Sequence, residues 1–285
     1  MAHSGPIFVG GTGRSGTTVT ARALGSHSRI HMLPIEVRFI VDPGGLCDLV
    51  SGNTDFGQFS EKLRSRWWHR EQRDGSTRGL HKIIDTESME TALYELKTSL
   101  SSDPESARRF VHRMLDPVAS ASGASRWVEM TPPNVLRGTE LLAIFPDMKL
   151  IHVARDGRNV ACSVSPLGWG PTDHFSALEW WADRMIQAHR ACQGLSRDHL
   201  LEIRMEELAN GSSNVIARLF DFVGETLDPS VLQFLQDRVK PERANVERWK
   251  TEVDPQIQAD FERRYTELVA RLADAGLSTK EWGLP

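Results

Sequence analysis

The sequence predicts an α/β fold: a P-loop-type parallel sheet flanked by helices, with a helical insertion over roughly residues 40–125. Three observations carry this. The apolar run Ile7-Phe8-Val9 passes directly into Gly10-Gly11-Thr12-Gly13-Arg14-Ser15-Gly16-Thr17-Thr18 and then into a helix-compatible stretch. A second apolar run, Lys149–Ala154, meets Arg155-Asp156-Gly157-Arg158 and another helical stretch through Val164. Elsewhere, short strand-like runs alternate with helical periodicities, the pattern of a parallel sheet covered on both faces. The length suits one domain over residues 1–285.

Ile7–Val9 opens the sheet, and Thr17–Ser26 forms the first helix, ending near Gly25. Arg29–Leu33 reads as a short strand stopped by Pro34. Gly44-Gly45 and Ser51-Gly52-Asn53 mark loops. Phe56–Arg70 reads as a helix broken at Gln72-Arg73-Asp74-Gly75-Ser76. Met89, Leu93, Leu96 and Leu100 space Thr86–Leu100 as a helix, and Pro104–Leu115 as the next. Trp127–Met130 is a strand ahead of Pro132-Pro133, and Val135–Phe145 a helix. Ala177–Gln193 is a long helix and Leu200–Ile203 a strand. Ser213–Val223, Pro229–Arg238 and Pro255–Ala275 follow as helices.

Composition narrows the classes. Hydrophobic residues make up 40% and charged residues 25%, as in an ordinary globular protein. A net charge of −4 argues against a surface devoted to nucleic acid. The three cysteines, Cys47, Cys162 and Cys192, have no metal-site spacing and read as reduced, buried thiols. No apolar run approaches the ~18 residues of a membrane helix. The first strand begins too early for a secretory leader, so the expected location is cytoplasmic. Trp67-Trp68 and Trp180-Trp181 are adjacent pairs that line an apolar pocket or fill core.

Strand, glycine loop and helix in this order build a phosphate cradle. Glycines turn backbone N–H groups inward, and the helix N-terminus adds its partial positive charge. The spacing from Gly11 to Gly16 fits a P-loop, but the residue after Gly16 is Thr17 where a nucleotide hydrolase has lysine. The cation has moved back to Arg14. At the second strand–helix junction, Arg155 sits at the carboxyl end of its strand, and Ser163 follows eight residues later. A guanidinium and a hydroxyl there offer charge-assisted bonds to a second phosphate.

Two phosphate motifs without a P-loop lysine resemble the sulfotransferases. Arg14-Ser15-Gly16-Thr17-Thr18 resembles that family's loop for the 5′-phosphosulfate of 3′-phosphoadenosine 5′-phosphosulfate (PAPS). Val153 through Ser163 resembles its 3′-phosphate motif, carried on Arg155 and Ser163. Arg248-Trp249-Lys250 is similar to the late cofactor loop of bacterial members. Trp127-Val128-Glu129-Met130-Thr131-Pro132 resembles a segment that often reads Glu-Lys-Thr-Pro, and Leu201-Glu202-Ile203-Arg204-Met205-Glu206-Glu207-Leu208 one that often reads Arg-Tyr-Glu-Asp-Leu. Met130 and Met205 depart from those patterns, so the residues that contact adenine are left unassigned. The resemblance implies Gly13, Arg14, Ser15, Gly16, Thr17, Thr18, Arg155, Ser163, Arg248, Trp249 and Lys250 as the cofactor site. The product would be 3′,5′-adenosine bisphosphate (PAP), no metal would be used, and the acceptor would be a small-molecule, carbohydrate or lipid hydroxyl.

Sulfuryl transfer needs donors for the leaving phosphate, a base at the acceptor proton and alignment of the two reactants. Arg14 and the loop amides fit the first need. Glu36 is the expected base: it follows the second short strand, where the active edge of the sheet should lie. Pro34-Ile35-Glu36-Val37-Arg38 resembles the Glu-containing segment of tyrosylprotein sulfotransferases, which implies Glu36 as base and Arg38 as auxiliary. His27, His31 and His81 are rivals, His81 also as an acceptor-site residue, and Glu129 is a further candidate. His152, inside its apolar strand, is expected to be structural. Trp169, His174 and Trp180-Trp181 are candidate borders of an acceptor pocket. A P-loop kinase and a noncatalytic nucleotide-binding module remain the other readings.

Overall fold

The computed structural model describes residues 5–71, 75–99, 102–239 and 245–279 of the chain. The predicted break at Gln72-Arg73-Asp74 and the predicted helix end at Leu100 lie outside the described residues. The main sheet contains β1 (Ile7–Gly11), β2 (Ile30–Met32), β5 (Arg126–Glu129), β6 (Lys149–Ala154) and β7 (Leu200–Arg204). Its order is β2-β5-β1-β6-β7, and every pairing is parallel. The α/β class with a parallel sheet flanked by helices is therefore the observed architecture.

Alternation along β1 divides the core. Ile7 and Val9 face a cluster with Leu24, Ile30, Leu219 and Phe220, from α1 (Thr17–Leu24), β2 and α10 (Ser213–Val223). Phe8 faces the opposite cluster, edge-on to Trp127 with ring centroids 5.6 Å apart. That second face is covered by α4 (Thr86–Thr98), α5 (Pro104–Ala121) and α6 (Gly138–Ile144). A third cluster joins α7 (Gly157–Val164), α8 (His174–Ala191) and the C-terminal helix Gln258–Asp274. All three cysteines are free and buried.

Several boundaries differ from the sequence expectation. The helix expected over Phe56–Arg70 ends at Lys62 as α3, passes through a π turn at Leu63–Trp67 and gives way at Arg70. There β3 (Arg70–Glu71) pairs antiparallel with β4 (Thr77–Arg78), a hairpin with no apolar alternation to announce it. The segment Val135–Phe145 begins as a 3-10 turn, Pro132–Arg137, because two prolines occupy its first positions. The α5 helix runs to Ala121 through Pro117, beyond the expected end at Leu115.

The Pro132–Arg137 turn lies directly on β1 at Gly10. A Cβ at Gly10 would stand 2.7 Å from the Val135 nitrogen and 2.8 Å from its Cγ1. Gly10→Ala should therefore overpack this contact and lower unfolding free energy by about 1–3 kcal/mol. In urea, the expected result is a lower midpoint with an unchanged m-value.

Candidate active site

The carboxyl ends of the five strands share one edge of the sheet, where ligands bind in open parallel sheets. The loop after β1 reaches this edge in a left-handed run: Gly13 has φ 89°, Arg14 φ 57° and Gly16 φ 106°. The conformation at Arg14 costs a non-glycine residue about 1–2 kcal/mol, and it turns successive amides toward one concavity. The α1 helix then starts at Thr17 with no side-chain cap and no acidic residue in its first turn. Its first N–H groups are thus left for an anion. Ser15 is fully buried and its hydroxyl has no hydrogen-bond partner. A buried orphan hydroxyl within an amide-lined loop fits a phosphate oxygen.

The two sequence motifs meet through Arg14. Its Nε donates to Ser163 Oγ at 2.9 Å, and its backbone carbonyl accepts from Arg155 at 3.0 Å. Arg155 also donates to the Asn245 carbonyl at 3.4 Å. Burial lowers the Arg155 pKa from its ordinary value, and the neighbouring charges of Arg248 and Arg14 add to that against Glu206. Three guanidinium groups thus crowd one corner, which an anion would relieve.

The late segment is clasped onto α7 by Asn159. This buried amide donates to the Val246 carbonyl at 2.6 Å and accepts from the Trp249 amide at 3.4 Å. Trp249 itself is buried, with the Arg158 guanidinium 4.4 Å from its ring centroid. Arg158 also lies 4.4 Å from the Tyr265 ring. Arg248 pairs with Glu252 and Lys250 with Glu247, each at 2.6 Å. Asp156 caps α7 and is engaged by Arg158 at 2.6 Å.

On the other side of the loop, toward β5 and β2, lies a cavity of about 480 Å³. Thr18, Glu36, Arg38, Trp67 and Met130 line it, together with the turn and hairpin over 66–82. Glu36 is ion-paired to Arg38 at 2.6 Å, and Arg38 reaches Asp42 at 3.3 Å. Burial disfavours the Arg38 cation, but Glu36 and Asp42 outweigh it and raise its pKa. A larger cavity, about 770 Å³, opens near Gly5, Pro6 and Asp147. Those residues precede β1 and β6, so it sits at the opposite edge from the loop.

Glu129 has no solvent exposure. Its carboxylate accepts from the Val37 amide at 2.9 Å, the Thr131 amide at 2.7 Å and the Asn134 side chain at 2.5 Å. The Thr131 hydroxyl is a fourth donor. It therefore anchors the segment that carries Glu36, and Glu129 is not among the cavity's lining residues.

The histidines are dispersed. His27 precedes β2, at the far edge, and its Nε2 lies 3.0 Å from the Thr226 carbonyl. His31 is half-buried within β2, and burial lowers its pKa. His81 does not line the cavity, although Leu80 and Lys82 do: its Nδ1 meets the Trp68 carbonyl at 2.8 Å, and its ring lies tilted against His69 with centroids 4.7 Å apart. His152 is buried and stands 3.2 Å from Glu202. His174 packs near Phe261, 6.0 Å between centroids. Trp169 and Trp180 flank Gly13, within 3.7 Å of where a Cβ would stand, while Trp181 is core. Met205 abuts Gly16, its sulfur 2.3 Å from a Cβ placed there.

This edge is that of a P-loop-type group-transfer fold with Thr17 at the lysine position and its cation, Arg14, three residues earlier. The profile of the Sulfotransferase family matches residues 6–229, and the chain belongs to that family. No curated protein sequence gives a significant match. Among solved structures, the chain is similar to the sulfotransferase domain of the curacin biosynthetic pathway, with TM-score 0.57 and 19% identity. That match covers 93% of this chain and 97% of the other. The sulfotransferase domain of the Synechococcus PCC 7002 olefin synthase gives TM-score 0.54 and 18% identity over 94% and 96% of the two chains. A sulfotransferase from Alicyclobacillus acidocaldarius gives 0.50 and 15% over 94% of each. At these identities the likeness is one of fold.

Burial raises the Glu129 pKa above the usual carboxylate range despite its donors. The folded protein therefore binds a proton more readily than the unfolded chain, and stability should fall as pH rises from the ordinary glutamate value through the raised one. Glu129→Gln should abolish this slope in urea titrations across that window. It should also cost about 1–3 kcal/mol, because an amide donor then meets other donors.

Proposed function

We propose that the chain transfers the sulfuryl group of PAPS in line to an acceptor hydroxyl, with Glu36 as general base. The observation that carries this reading is the Arg14 junction, where one side chain ties the β1 loop to Ser163 and one carbonyl ties it to Arg155. Bound PAPS would supply the sulfuryl group and a phosphate as leaving group. The amides of Gly13–Thr18, the Thr17 and Thr18 hydroxyls and Arg14 would hold the 5′ end and take up the charge that develops there. Arg155, Ser163 and the segment Arg248-Trp249-Lys250 would hold the 3′-phosphate.

The cavity on the β5–β2 side would receive the acceptor, with Thr18 on the border between the two reactants. Glu36, oriented by Arg38, would accept the hydroxyl proton as the oxygen attacks. The scheme uses no metal and places both reactants in the one domain. A kinase would call for a lysine at position 17 and an acidic residue free for a metal, whereas Asp156 is engaged by Arg158.

Thermal shift separates the readings. PAP should stabilise the protein, and ATP with magnesium should not; stabilisation by ATP with magnesium alone would sink the reading. Arg14→Ala and Arg155→Ala should each weaken PAP binding about tenfold or more, as expected for loss of a charge-assisted bond. With labelled PAPS, Glu36→Gln should abolish transfer while PAP affinity stays at the wild-type value. Near-normal turnover would move the base elsewhere.

A further inference from the structure

The cavity beside Glu36 carries a charge pattern that proton abstraction alone does not require. Arg38, Arg66, Arg70, Arg78 and Lys82 line it, and Glu36 is the one carboxylate among its described lining residues. Arg38 is matched by Glu36 and Asp42. Among the described residues, Arg66, Arg70, Arg78 and Lys82 pair with no carboxylate. Exposed arginines elsewhere are of both kinds: Arg64 pairs with Glu90 at 2.6 Å and Arg263 with Asp260 at 2.8 Å, whereas Arg22, Arg190 and Arg197 pair with no described carboxylate; the cavity differs in gathering four such cations on one lining. The net charge is −4, so the concentration of cations is local.

A second observation comes from the hairpin. Arg70 stands directly opposite Arg78 in the β3–β4 register. Directly opposed residues of an antiparallel pair share a face, and like charges there destabilise the pairing. A hairpin this short has little of its own to set against that repulsion. An anion between the two guanidinium groups would reverse the sign of the interaction. The three cations around the Arg14 junction lie toward β6, across the loop from this cavity, so the two basic clusters are separate.

We propose that the acceptor is itself an anion: a hydroxyl compound bearing a carboxylate or phosphate, gripped by Arg66, Arg70, Arg78 and Lys82 while its hydroxyl faces Glu36. This rests on the sulfuryl-transfer reading given above. Guanidinium forks suit both anions because each presents paired oxygens. A neutral alcohol or lipid would make no charge-assisted bond with these exposed cations and would leave Arg70 opposite Arg78 with no anion between them.

The test is calorimetry on the full chain saturated with PAP, using matched pairs that differ in charge. The pairs are 4-hydroxyphenylacetate with 4-hydroxyphenylacetamide, glucuronate with glucuronamide, and glycerol 3-phosphate with glycerol; the first two carry carboxylates and the third phosphate. The anionic member of at least one pair should bind about tenfold more tightly than its neutral partner, with the difference shrinking at high salt. The double substitution Arg70→Gln with Arg78→Gln should erase that preference and leave PAP affinity unchanged. Its thermal midpoint should not fall, since a repulsion is removed; Lys82→Gln gives an independent reduction on another element. Equal binding within all three pairs, absence of anion binding, or a preference that survives these substitutions would overturn the proposal. Failure to bind PAP would overturn the donor assignment alone, and the anion series would then be read on the free protein.

Discussion

The carboxylate of Glu129 lies at the centre of the site's scaffold, sealed from solvent and surrounded by four donors. One donor is the Val37 amide, so the segment after β2 is fixed relative to the end of β5. Another is the Asn134 side chain, which also donates to the Val9 carbonyl of β1 at 3.1 Å. Three strand ends are thereby tied around a single acceptor group. A buried carboxylate is costly unless it is hydrogen-bonded, and here those bonds give the surrounding loops their positions. Glu36 can point into the cavity because the next residue is held from behind.

The Arg14 junction has a comparable role on the other half of the edge. A non-glycine residue in a left-handed conformation is a strained choice, and it persists because the side chain and the carbonyl are both held. The strain orients the guanidinium across to α7 while the amides on either side turn toward the concavity. The sheet order then decides the layout. With β1 between β5 and β6, whatever the loop grips has one neighbour on the β6 side and a different one on the β5 side.

Much of this was legible in the sequence, for reasons that differ from element to element. The β6 strand was bounded to the residue because it is flanked by parallel neighbours on both sides and is apolar at Leu150, Ile151, Val153 and Ala154. The glycine loop announced itself because the backbone conformation demands those residues. The Arg14–Ser163 bond was not legible: it joins residues 149 apart, and only the packing of β1 beside β6 makes them neighbours. Asn159 passed unnoticed because an asparagine inside a helix start looks like solvent-facing polarity, whereas it is the clasp for the Val246–Trp249 segment. The β3–β4 hairpin escaped for the opposite reason, being charged, short and without period-two apolarity. Arg248 and Lys250 were legible as cations but not as partners of Glu252 and Glu247. His81 read as a residue entering the cleft, yet it bonds to the Trp68 carbonyl and packs beside His69, and it does not line the cavity.

The contiguity of the cavity's basic wall has an evolutionary reading. Arg66 through Lys82 is contiguous in sequence, and among its described residues none is hydrogen-bonded to the β1 loop or to α7. Exchange of that stretch would give a new lining while the Arg14 junction and the Glu129 scaffold stay intact. Under the acceptor reading proposed above, selection would retune what this chain accepts by rewriting a peptide of about seventeen residues.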